Sequence, residues 1–212
     1  MFIRSLKPEE VDLIRRVEIF VRDAARSRAG REPSQAFEVV RLSVEIARRV
    51  AHPVQPLILI LTAMFNDLGA QIVGEGAVAG FVGASVAESF LRIAGISDLE
   101  RIQIVKAVGV AGAPDVMTPE TMEERIVADA GMLEKMGLVG LVRGLSEHWH
   151  APDEYIQERL ASCQSEYEGL YFDESRQIGE PLYNQMKILS ENLSKAFRLR
   201  PLSVEQIVLP HG

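Results

Sequence analysis

The sequence predicts an all-α fold built as a single domain over residues 1–212. Three observations carry that prediction. Apolar residues recur at spacings of three and four along most of the chain, the period of one helix face. No segment alternates apolar and polar with a period of two, apart from a tail at 203–209 whose pattern allows one short strand. Neither an internal repeat nor a Ser/Gly-rich linker divides the chain, and 212 residues suffice to bury a core without disulfides.

The first helix follows Ser5-Leu6-Lys7-Pro8-Glu9-Glu10, with Pro in the first turn and acids that complement the helix dipole. Leu13, Val17, Phe20 and Ala24 form its apolar face, and residues 29–33 break it. A second helix follows Ser34. Phe37, Val40, Val44, Ala47 and Ala51 make one stripe on it, and Val39, Leu42, Ile46 and Val50 make another. A helix apolar over so much of its surface is largely buried. His52-Pro53 stops it, and Pro56 opens a third helix over 57–68, apolar nearly all round. The Gly-rich stretch 69–83 reads as an irregular loop, and helical spacing resumes over 84–94 through Val86, Phe90 and Ile93. Ser97-Asp98-Leu99-Glu100 is a capping box ahead of Ile102, Val105 and Val108, and 109–117 reads as a second loop. Thr118-Pro119-Glu120 opens a helix to about Met136, after which Gly137 and Gly140 punctuate the chain. Pro152 opens helical sequence to about Phe197, kinked or interrupted at Pro181.

Composition narrows the function classes. Apolar residues make up 47% and charged residues 25%, which argues against disorder. The net charge of −7 and the lack of a basic tract disfavour nucleic acid as a partner. A polybasic membrane anchor is missing too, and the longest apolar run, 57–61 extended by 63–65, is too short to span a bilayer. Residues 1–10 do not read as a signal peptide. The single Cys163 makes neither an internal disulfide nor a Cys zinc site and reads as an inert thiol, so a cytoplasmic location is the simplest expectation.

Four His residues occur, His52, His148, His150 and His211, with no His-x-x-x-His zinc pair among them. A Gly-x-Ser-x-Gly nucleophile elbow is absent, and the glycines at 74–80 lack the strand and the Gly-Lys-Ser/Thr ending of a phosphate loop. The informative residues are polar groups inside apolar helices: Glu38 between Phe37 and Val39, Asn66 and Asp67 after Met64-Phe65, and Asp129 within Ile126-Val127-Ala128 and Ala130. Such groups need partners when buried, and Arg41, Arg125 or backbone amides can supply them. His148-Trp149-His150 reads as a helix–loop boundary with a half-buried Trp and two exposed His; the alternative is a ligand contact, with His150 the candidate.

Four segments resemble the HD-domain superfamily of metal-dependent phosphohydrolases. They are Glu38-Val39-Val40-Arg41-Leu42, Leu61-Thr62-Ala63-Met64-Phe65-Asn66-Asp67-Leu68-Gly69, the stretch from Glu124 through Asp129 to Glu134, and Leu170-Tyr171-Phe172-Asp173-Glu174-Ser175-Arg176. The resemblance covers roughly 34–190 and implies a single HD-like helical bundle with an N-terminal helix and a C-terminal tail. It also shows departures. Glu38 stands where the family has its first His, and Asn66 where it has the His of His-Asp; Asp67 and Asp129 match metal ligands by type. Ser34 and Gln35 occupy a common His-Asp position, and Gly131 and Glu134 replace acids that often follow the last ligand.

The resemblance implies a ligand set of Glu38, Asn66, Asp67 and Asp129. Oxygen donors alone suit Mg or Mn better than Zn or Ni, so the expected cofactor is a divalent cation of that kind or none. Asp67 and Glu38 are then the catalytic candidates. Arg41 would contact a phosphate or else neutralise Glu38 or Asp129. The function this implies is a divergent HD-like protein with a degenerate metal site, binding a small phosphorylated ligand or a partner with little or no hydrolysis. The alternatives are an active Mg- or Mn-dependent phosphohydrolase or phosphodiesterase, and an all-α regulatory or scaffold subunit. No nucleic acid and no membrane are expected as partners, and a homo-oligomer stays open.

Overall fold

The computed structural model describes residues 1–26, 34–74, 76–114 and 116–199. Among them it holds ten helices: α1 (Pro8–Arg26), α2 (Ser34–Arg49), α3 (Pro56–Phe65), α4 (Leu68–Val73), α5 (Ala77–Ala94), α6 (Asp98–Ala111), α7 (Met122–Met136), α8 (Leu138–Glu147), α9 (Pro152–Glu168) and α10 (Asp173–Arg198). An isolated parallel bridge between Phe2 and Val54 is the sole β pairing among the described residues. The fold is all-α, as its 3.6-residue periodicity predicts. The expected tail strand at 203–209 lies outside the described residues.

The chain clusters into two compact units, Met1–Glu134 with Tyr171–Ser175, and Lys135–Leu170 with Arg176–Gly212. The first unit is centred on α3. Pro56 starts that helix with its φ already set, and nine of its ten residues are buried. Leu57, Leu61, Met64 and Phe65 meet Leu13, Val17 and Val21 of α1, Leu91 of α5, and Ile104 and Val108 of α6. Phe20, Phe65 and Phe90 form a tilted aromatic trio at centroid distances of 4.9 to 6.4 Å. Pro56–Val73 has the length and composition to cross a membrane, but 67% of it is buried inside the protein, the setting of a core helix. In the second unit, Met136, Leu141, Cys163 and Met186 make a separate core, joined by Tyr155, Tyr167 and Tyr183.

The second of the two expected loops begins three residues later than expected, because 109–111 still belong to α6, and 112–114 and 116–117 are non-helical. The first is largely helical: residues 69–83 contain most of α4 and the start of α5. The glycines there serve packing more than turning. A Cβ on Gly69 would lie 1.7 Å from the Ala79 carbonyl oxygen, and one on Gly80 would lie 2.5 Å from that of Gly109. Both let neighbouring helix backbones touch. The turn is made elsewhere, at Gly74 and Gly76, whose φ values are 88° and 124°.

Helix starts depend on caps. The Ser97–Glu100 box forms, with the Ser97 hydroxyl accepting from the Glu100 amide at 3.3 Å. α7 begins at Met122 rather than at Thr118, because Thr121 and Glu124 make a second box: the Glu124 amide donates to Thr121 Oγ1 (3.2 Å) and the Thr121 amide to Glu124 Oε2 (3.0 Å). α10 runs on through Pro181.

Candidate functional site

Glu38 is on α2, whose apolar stripes leave one face to solvent. Both oxygens of Glu38 accept from the guanidinium of Arg41, at 2.7 and 2.8 Å. Arg41 also reaches Glu45, which pairs with Arg49, so the face carries a ladder of i,i+3 and i,i+4 ion pairs. The Glu38 and Arg41 side chains are 43% and 57% exposed, so the pair lies at the surface and is worth about 0–1 kcal/mol. Its hydrogen bond to Glu38 is the main cause that raises the Arg41 pKa above its ordinary value. Of the two roles expected for Arg41, neutralising Glu38 is the one its contacts match.

Asn66 and Asp67 lie where α3 gives way to α4. Asn66 is the C-cap of α3 and Asp67 the N-cap of α4. Asp67 Oδ2 accepts from Nε2 of Gln71, one turn on, at 3.1 Å. Asn66 Oδ1 and Gln71 Oε1 are buried acceptors with no hydrogen-bond partner within the protein. Gln71 was not among the residues read from the sequence; its i,i+4 spacing from Asp67 was the available signal.

Asp129 is fully buried in α7. Its Oδ1 accepts from the Tyr171 amide at 2.8 Å and its Oδ2 from the Phe172 amide at 3.2 Å. Four residues earlier on α7, the Arg125 guanidinium carbon lies 5.9 Å from the centre of the Tyr171 ring. Sequence could not reveal these partners, because a backbone amide has no residue type.

The three carboxylates of the expected cation set form no cluster. Among the described residues, no group of three or more His, Cys, Asp and Glu side chains is placed to hold a metal ion, so Glu38, Asp67 and Asp129 do not converge as three carboxylate ligands. Glu38 is held by a guanidinium on a half-exposed face, and Asp129 by two amides. The remaining candidate is in the second unit. His150 is exposed, with its ring 6.3 Å from that of His148. His148 stacks on Tyr155 at 4.7 Å, and its Nδ1 lies 2.9 Å from the Gly144 carbonyl oxygen. Trp149 is 62% exposed, more than the half-burial expected, and meets Phe197 edge-on at 6.3 Å. Cys163 is buried, which pushes its thiol up to about 11.

The sequence matches no family model and no curated protein. Solved structures match it in fold. An HD-superfamily hydrolase from Bacillus thuringiensis superposes with a TM-score of 0.69 at 13% identity, covering 90% of this chain and all (100%) of that one. YpgQ of Bacillus subtilis, solved in complex with ADP, superposes at 0.70 with 16% identity, covering 89% and 96%. A predicted HD superfamily hydrolase from an uncultured Thermotogales bacterium superposes at 0.62 with 19% identity, covering 86% and 92%. The chain therefore has the fold of the HD-superfamily hydrolases, at low sequence identity. A fold does not by itself assign an activity, which is argued from the site.

Proposed function

We propose that this chain is an HD-fold protein that binds a small phosphorylated ligand and hydrolyses it slowly or not at all. The observation that carries the reading is the engagement of the candidate carboxylates by the protein itself, most fully at Glu38 and Asp129. Glu38 is taken by Arg41 and Asp129 by the amides of Tyr171 and Phe172. A hydrolase of this kind needs an ion that activates water at phosphorus, and these two carboxylates have other work. The ligand class is supported by fold likeness to a protein that carries ADP.

A specific observation favours a second reading, an active Mg- or Mn-dependent enzyme. Asn66 Oδ1 and Gln71 Oε1 are buried oxygen acceptors without protein partners, flanking Asp67. One experiment separates the two readings: equilibrium binding of ADP followed by phosphate release with added Mg²⁺ or Mn²⁺. Binding without release is expected. Release that Asp67→Ala abolishes would establish the enzyme instead.

A further inference from the structure

The buried carboxylate of Asp129 matches a metal ligand of the resembled family by position, yet both its oxygens face main-chain donors. Phe172 immediately precedes α10, where the first amides have no partner inside the helix. Tyr171 precedes it by one residue. Their segment, Tyr171–Ser175, belongs to the first unit together with Asp129. Arg125, one turn before Asp129 on the same helix, approaches the Tyr171 ring. Ser175 is fully buried as well.

We infer that Asp129 is a positioning residue: a carboxylate clamp that fixes the Tyr171–Ser175 segment on the first unit and sets the start of α10, with no metal ion required. A charged acceptor roughly doubles the strength of an amide hydrogen bond, and a fully buried carboxylate is tolerated only with such donors. Two amides from consecutive residues, one to each oxygen, provide them. The inference is independent of whether ADP binds, because it concerns hydrogen bonds within the protein.

The test is amide hydrogen exchange in the full, metal-stripped chain, read residue by residue by NMR. In the wild-type protein the Tyr171 and Phe172 amides should be protected before any metal is added, and added Mg²⁺ should leave their rates unchanged. Asp129→Asn should speed their exchange by about ten- to a hundredfold, the change expected for losing a hydrogen bond to a charged group. Asp67→Asn should leave both rates as they were. Unprotected amides in the wild-type chain would overturn the inference even if Asp129→Asn fails to fold. Protection that appears only with Mg²⁺, or unchanged rates in a folded Asp129→Asn variant, would overturn it too.

Discussion

At the scale of single residues, burial decides which polar groups matter. Glu10 shows the productive case. Its carboxylate takes two nitrogens of Arg4, at 2.5 and 2.7 Å, and the Lys7 amide at 2.7 Å, with only 8% of the side chain exposed. The hydrogen bond from Arg4 is the first cause holding its pKa below the usual carboxylate value. A depressed folded pKa contributes stability above the unfolded value of about 4.3, and that stability is lost as pH falls through the folded value. Glu10→Gln should therefore cost about 1–3 kcal/mol at neutral pH, with the gap to wild type closing in thermal unfolding below pH 4. A gap that stays constant down to pH 3 would rule this out. Thr62 shows the opposite case. Its hydroxyl is fully buried in α3 without a protein partner. Thr62→Val keeps the shape and removes that group, so the free energy of unfolding should rise, by about 1 kcal/mol or more. A fall instead would mean that the hydroxyl holds a bound water.

At the scale of elements, the helices announce themselves and their contacts do not. Stripes such as Val39, Leu42, Ile46 and Val50 are visible at once, and all four are buried. The glycines of 69–83 mislead, because a residue that permits a turn also permits two helices to touch. Which of these a glycine does depends on what faces it, which local sequence does not contain. Two substitutions separate the roles. Gly69→Ala would drive a methyl group against the Ala79 backbone and should cost about 1–3 kcal/mol or more. Gly131 lies inside α7 with nothing within 4 Å of a Cβ, so Gly131→Ala should stabilise by about 0.5–1 kcal/mol. Chemical denaturation of both variants checks the pair, and equal losses in the two would contradict the packing account. The start of α7 has the same lesson: Pro119 is the louder helix signal, but the reciprocal Thr121–Glu124 hydrogen bonds set the boundary.

At the scale of the whole molecule, the fold was legible because four separated segments, at Glu38, Asn66-Asp67, Asp129 and Tyr171-Phe172, keep the order of the resembled family. The candidate site was legible only as a set of positions. Glu38 and Asp129 were found as polar residues in apolar surroundings, but their partners are a surface guanidinium and two distant amides. Nothing in the local sequence of Glu38 told the half-exposed face of α2 from the buried one, since Phe37 and Val39 flank it on either side. On the proposed function, the HD fold here holds a ligand rather than cleaving one. The most direct measurement is ³¹P NMR of ADP with an equal amount of the full chain and Mg²⁺. The account predicts ADP resonances shifted or broadened by binding, and no growth of a phosphate signal over many hours. A phosphate signal that grows with wild-type protein and is lost with Asp67→Ala would contradict it, as would ADP resonances that the protein leaves untouched.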